Sequence, residues 1–188
     1  MARNRRDIDS SEKRAQIIAA ARRLFLADGY EATGMARIAA EAGVAPNTLY
    51  WYFADKDALL IEILDALVGE ALLAFPAVQS RPLDAQLLWL LAQLDAVPGL
   101  VSTVHARLAV SPALNAWHER FHAMVEAMVI AQLARHGMPE PERPAAARIA
   151  LFVVEGLLSH HAGPRADRAA VAALLASRLA PAHKEELP

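Results

Sequence analysis

The sequence predicts an all-α chain, with a small N-terminal unit followed by a larger helical bundle, and three observations carry that expectation. Apolar residues recur at steps of three and four through nearly every segment, and no stretch alternates cleanly enough to make a strand. Prolines and glycines partition the chain at Gly29, Gly43, Pro76, Pro98, Pro112, the Gly137-Met138-Pro139-Glu140-Pro141 stretch and Gly163-Pro164. The chain has 188 residues, 55% of them apolar, which is enough to fill a sizeable core.

The first helix is expected from Asp9, where Asp9 and Glu12 resemble a capping box. Its inner face is Ile17, Ile18, Ala21, Leu24 and Phe25, with Arg22 and Arg23 opposite, and Gly29 stops it. A short second helix fits 35–42, with Thr33 as N-cap, Met35, Ile38, Ala39 and Ala42 facing inward, and Gly43 as left-handed terminator. After the turn Gly43-Val44-Ala45, Pro46 suits the first position of a third helix that runs to about residue 53. Asp55 can cap a fourth, over 56–75, which Pro76 ends. Further helices fit 82–96, 99–109, 113–136, 143–162 and 166–179. The expected division is 1–55, a connecting helix over 56–76, and 77–188.

Composition excludes several function classes. Nineteen basic residues against twenty-one acidic give a formal charge of -2, so any polyanion must be met by a local patch. Residues 1–23 supply one, with seven basic residues (Arg3, Arg5, Arg6, Lys13, Arg14, Arg22, Arg23) against three acidic. With no cysteine there is no disulfide, thiolate metal site, iron–sulfur cluster or cysteine nucleophile, which fits a reducing cytosol. Arg3, Arg5 and Arg6 run into Asp7, Asp9 and Glu12, unlike a secretory leader. Charges interrupt every apolar run, the Leu83 to Leu94 piece included, before the roughly 18–20 residues a bilayer requires. A cytoplasmic chain with no membrane partner is expected.

Two short helices joined by a three-residue turn make a helix-turn-helix, a geometry that places the second helix in a DNA major groove. Two ordinary packed helices would give the same periodicity. The outer face of the third helix favours the groove: Asn47, Thr48, Tyr50, Trp51 and Tyr52 crowd around a minimal core of Leu49 and Phe53. Lys56 adds a second argument, since a cation in a helix's first turn is disfavoured by up to about 1 kcal/mol. A DNA phosphate outside the protein would reverse that sign.

The run Gly29-Tyr30-Glu31-Ala32-Thr33, then Ile38-Ala39, Ala42-Gly43-Val44, and Thr48-Leu49-Tyr50-Trp51-Tyr52-Phe53 with Lys56, Leu59 and Leu60, resembles the DNA-binding signature of TetR-family transcriptional regulators. The likeness covers roughly the first 65 residues. It implies that Thr33, Tyr50, Tyr52 and Lys56 hold the phosphate backbone. By the same resemblance Pro46 opens the reading helix, while Arg37, Asn47, Thr48 and Trp51 reach base edges or thymine methyls; asparagine can pair with adenine and arginine with guanine. Two positions depart from the family pattern: Ala45 and Gly34 stand where hydroxyl residues are common, so a cap and part of the backbone clamp are missing. The basic arm can track phosphates or a minor groove, or be a solvated tail.

The helices at 143–162 and 166–179 are apolar around much of their circumference, as Ile149, Leu151, Phe152, Val153, Val154, Leu157 and Leu158 indicate. The resemblance implies a homodimer through these last two helices, reading a palindromic operator; burial of both within one subunit is the alternative. Trp89, His105, Trp117, Phe121, His122, Met124, Phe152 and Glu155 are candidates for an effector pocket, against a plain core-packing role for each. Glu155, between Val154 and Gly156, needs a partner such as Arg107, Arg148, a histidine or a cationic effector.

His118-Glu119-Arg120-Phe121-His122 also satisfies H-E-x-x-H, which on a helix could hold zinc with Glu119 as general base. A regulatory metal on His118, His122 and His105 or Glu155 is a second possibility, and an ordinary amphipathic helix a third. No strand pattern or following Gly-x-x-His supports a peptidase. The expected function is a ligand-responsive repressor released from its operator by a small-molecule effector, with no catalytic residues, metal or cofactor.

Overall fold

The computed structural model describes residues 5–159 and 165–179, apart from the side chains of residues 5–9, 98, 159, 165 and 166. Arg3, His160, His161, His183 and the break at Gly163-Pro164 lie outside the described residues. The described chain is helical without a strand: α1 Arg5–Asp28, α2 Met35–Glu41, α3 Pro46–Tyr52, α4 Lys56–Ala74, α5 Leu83–Asp95, α6 Pro98–Arg107, α7 Pro112–Arg135, α8 Arg143–Ser159 and α9 Arg165–Leu179. One-turn 3-10 segments at Phe75–Ala77 and Glu140–Glu142 follow α4 and precede α8. No single described helix is long and apolar enough to cross a membrane.

Helix boundaries follow local chemistry, with two corrections. The first helix is already formed at Arg5, the first described residue, so Asp9 lies inside it and is no cap; nothing in the Arg5-Arg6-Asp7-Ile8 run breaks a helix. Thr33 does not cap α2 either. The cap position is Gly34, in extended backbone and without a side-chain bond, and the Thr33 hydroxyl donates instead to the Gly29 carbonyl at 2.8 Å.

The α2 to α3 turn is fixed by backbone geometry. Gly43 has φ +67, a left-handed conformation that costs other residues energy. With it, Gly43 N–H reaches the Ala40 carbonyl at 3.1 Å and Val44 N–H the Ala39 carbonyl at 2.9 Å, the paired bonds of a Schellman motif. Pro46 then sits in the first turn of α3. Asp55 caps α4 by accepting from Ala58 N–H at 2.7 Å.

The chain forms two compact units, each discontinuous in sequence. The first holds residues 1–71 and 97–118, the second 72–96 and 119–188, the divisions falling within α4 and α7. In the first unit α1 packs on α2 and α6, and α2 on α3. Ile17, Phe25, Ile38, Leu49, Leu59, Leu60 and Ile63 are buried there, joined by Leu100 of α6 and Leu114 of α7. Each such side chain stabilises by about 1.5–3 kcal/mol relative to exposure. In the second unit Leu83, Leu87 and Leu91 of α5 meet Ala147, Ala150 and Val154 of α8 and Ala172 and Ala176 of α9. Arg168 of α9 bonds both oxygens of Asp95, at 2.5 and 2.6 Å, and the Leu157 carbonyl at 3.1 Å, tying three helix ends together.

Candidate nucleic-acid interface

Helix α3 is held by its inner residues and presents the rest. Leu49 and Phe53 are buried, whereas Pro46, Asn47 and Tyr50 are exposed and Thr48 is half-buried. Trp51 is 76% exposed. Its ring meets Tyr52 edge-on, with centroids 5.0 Å apart, and the Tyr52 hydroxyl shares a hydrogen bond with Ser10 of α1 at 3.2 Å. Tyr52 is thereby fixed while Trp51 stands free of the core, an indole edge placed for a partner that can cover it.

The basic residues around this helix are more neutralised than their sequence count implies. Arg14 pairs with Glu62 at 2.5 Å, Arg22 grips both oxygens of Glu70 at 2.5 and 2.8 Å, and Arg23 pairs with Glu41 at 2.9 Å. Their acidic partners come from α2 and α4, which a count over residues 1–23 does not see. Arg37 pairs with Asp28 at 2.8 Å. This pair is exposed and worth at most about 1 kcal/mol, so opening it toward a base costs little.

Lys56 already has a partner within the chain. Its ammonium donates to the Tyr30 carbonyl at 2.8 Å and lies 3.9 Å from the centroid of the Tyr30 ring, so the adverse helix dipole is offset internally. An ammonium has three donors, and one carbonyl leaves capacity for an outside phosphate. Thr33 differs: it is fully buried and its hydroxyl is turned inward, so it does not present that hydroxyl to a phosphate.

Tyr30, Asp57 and Arg107 form a cluster that sequence reasoning missed. Arg107 Nε donates to Asp57 Oδ1 at 2.7 Å and Nη2 to Oδ2 at 2.8 Å; the Tyr30 hydroxyl donates to Oδ1 and Ser111 also bonds the carboxylate. Burial pushes the Asp57 carboxyl up, but the hydrogen bonds from Arg107, Tyr30 and Ser111 and the Arg107 charge outweigh it and hold the pKa at about 2. Burial and the neighbouring carboxylate push the Tyr30 phenol up. The available signals were weak: an acid in the first turn of α4, favourable to the dipole, and a tyrosine in the Gly29-Tyr30 run.

The effector candidates divide between the units. In the first, Trp117 is a core residue, buried with its indole N–H donating to Asp65 at 2.7 Å, and the His105 ring stands edge-on to His118 at 5.3 Å. In the second, Trp89 packs on Phe75 at 5.8 Å, Phe121 on His122 at 5.8 Å, and Met124 is half-buried. His122 Nε2 lies 3.1 Å from Glu155 Oε1, which supplies the partner Glu155 was expected to need. Two placements run against an enclosed pocket: Trp117 is committed to packing, and Phe152 is 64% exposed on α8. In the H-E-x-x-H run, His118 stands beside His105 and His122 beside Glu155.

Residues 17–63, from the middle of α1 through the first turns of α4, match the family described as bacterial regulatory proteins, tetR family. That stretch contains the whole helix-turn-helix described above. Over this stretch the chain is similar to the DNA-binding domain of the TetR family. Among similar proteins, the HTH-type transcriptional regulator TtgR of Pseudomonas putida is 44% identical over 59 residues, 31% of this chain and 28% of its own. The match thus spans little more than a quarter of that relative's length. Two solved structures are similar over nearly their full length. A transcriptional regulator from Rhodococcus has a TM-score of 0.72 at 20% identity, covering 88% of this chain and 95% of the other. A TetR transcription regulator from Haloarcula marismortui has 0.70 at 22%, covering 90% and 97%. At these identities the likeness is one of fold, and it includes the helices beyond the matched stretch.

Proposed function

We propose that this chain is a sequence-specific DNA-binding transcriptional regulator, a cytoplasmic homodimeric repressor that leaves a palindromic operator when a small-molecule effector binds, and not an enzyme. The observation that carries the reading is α3, whose inner Leu49 and Phe53 lock it to the unit while Asn47, Tyr50 and Trp51 face outward. Asn47, Thr48, Trp51 and, once released from Asp28, Arg37 read base edges. Tyr50, Tyr52 and Lys56 hold phosphates, with Pro46 setting the entry of the helix.

Exposed Ile149, Phe152 and Leu174 on α8 and α9 support dimerisation. The His122–Glu155 pair in the second unit supports an effector carrying a polar or charged group. Helix α4 is continuous from Lys56 to Ala74, so a shift of its far end would be felt at the DNA-facing first turn.

The test is binding to duplexes selected from a random pool, over a salt titration. Lys56→Ala should weaken binding about equally on all sequences and lower the salt slope by about one, whereas Asn47→Ala and Trp51→Ala should change which sequences are preferred. A wild-type protein without salt-sensitive, sequence-dependent binding overturns the reading.

A further inference from the structure

Arg107 is the last residue of α6, fifty positions from Asp57 in sequence, yet α6 belongs to the same compact unit as the helix-turn-helix. Its side chain is one-quarter exposed, with both prongs of the guanidinium on Asp57 and Nη1 3.7 Å from Glu31. Asp57 is the second residue of α4, next to Lys56. The same carboxylate receives the Tyr30 hydroxyl, and Tyr30 in turn holds Lys56, through its carbonyl at 2.8 Å and its ring at 3.9 Å. The Arg107 guanidinium carbon also lies 5.1 Å from the Tyr30 ring centroid, so one ring is shared by both cations.

Arg107, Asp57, Tyr30 and Lys56 therefore form a single chain of contacts in which each member fixes the next. We infer that Arg107 is a positioning residue for DNA binding: by clamping Asp57 it sets Tyr30, which holds the Lys56 ammonium where it meets a DNA phosphate. The inference rests on the DNA-binding reading above and adds to it a route by which α6 governs operator affinity. Withdrawal of α6 would take the two-pronged partner from Asp57, free Tyr30 to tilt, and leave Lys56 to sample many rotamers before each phosphate encounter. Ordering so flexible a side chain costs binding free energy that the clamp supplies in advance.

The route makes a prediction that a general loss of structure does not. Because the Arg107 guanidinium is engaged by Asp57, its removal should act through Lys56. The experiment measures affinity for the tightest duplex selected from a random pool, across a salt titration, for wild type, Lys56→Ala, Arg107→Gln, Arg107→Lys and the double variant Lys56→Ala/Arg107→Gln. Arg107→Gln should weaken binding by about tenfold at low salt and lower the salt slope by about one, as loss of one phosphate contact does. The double variant should bind within about twofold of Lys56→Ala alone, because the two changes remove the same interaction. Arg107→Lys, which keeps a cation opposite Asp57, should retain the wild-type slope.

A wild-type slope in Arg107→Gln, or losses that multiply in the double variant, overturns the inference while leaving the DNA-binding reading intact. Absence of salt-sensitive binding by wild type overturns that reading and the inference with it. Circular dichroism melts accompany each variant. Should Arg107→Gln fail to fold, Arg107→Ser in its place, alone and with Lys56→Ala, gives the same comparison. If neither folds, Arg107 is a folding residue and the inference falls.

Discussion

Ala45 leaves α3 without a side-chain cap. It occupies the N-cap of α3 in extended backbone, φ -66 and ψ 147, and makes no side-chain cap bond. A serine adopts that conformation readily, and the position is exposed. Ala45→Ser should stabilise by about 1 kcal/mol, visible as a melting temperature higher by about 2–4 °C. Gly34 and Gly43 show how backbone rather than space decides the sign of a change. Neither has an atom within 4 Å of where a Cβ would stand. Gly34 has φ -94, open to any residue, so Gly34→Ser should stabilise by about 0.5–1 kcal/mol through the new cap and the stiffer unfolded chain. Gly43 has φ +67, and Gly43→Ala should destabilise by about 1–2 kcal/mol although nothing is in its way. Denaturant midpoints of the three variants check both the sizes and the opposed signs.

At the scale of elements, the first turn of α4 is where local sequence and distant packing meet. Asp55 caps it and Lys56 opens it, both legible from sequence because capping chemistry lies within four residues. The partner that holds Asp57 comes from Arg107, fifty positions away, and no periodicity carries that information. Thr33 failed as a cap for a different reason: its buried hydroxyl donates backward to the Gly29 carbonyl, a local choice between two partners that capping propensity alone does not rank. Asp57 also predicts a pH response. Its folded pKa, about 2, lies below the ordinary value of 3.8, so its contribution is complete above about pH 4 and is lost as pH falls through 2. Tyr30 is shifted the other way, so its contribution is complete below its ordinary value of 10.0 and is lost as pH rises beyond it. Urea midpoints against pH should therefore fall at both ends. Asp57→Asn should flatten the acid limb, and Tyr30→Phe the alkaline one. An unchanged acid limb in Asp57→Asn would show that the carboxylate is not held as the geometry indicates.

At the scale of the whole molecule, the last two helices read from sequence as apolar nearly all round, with dimerisation and internal burial as competing explanations. The second unit uses only part of that surface: Ala147, Ala150, Val154 and Leu157 of α8 and Ala172 and Ala176 of α9 are consumed by its own core. Ile149, Phe152 and Leu174 remain outward. Sequence alone could not apportion the residues between the two uses, since both demand the same chemistry on different faces. A twofold interface would bury each exposed side chain on both copies, and each is worth about 1.5–3 kcal/mol on full burial. Phe152 is the largest of them, and Phe152→Glu would place two carboxylates in that interface, where unpaired charge is strongly disfavoured. Light scattering should give a dimer mass for wild type and a monomer mass for Phe152→Glu, with helix content unchanged because the residue is outside the core. Operator binding should weaken by about a hundredfold or more, since two linked recognition helices gain an effective-concentration advantage that one does not. A dimeric Phe152→Glu, or a wild type that is monomeric at micromolar concentration, would assign the exposed face of α8 and α9 to some other partner and remove the basis for reading a palindrome.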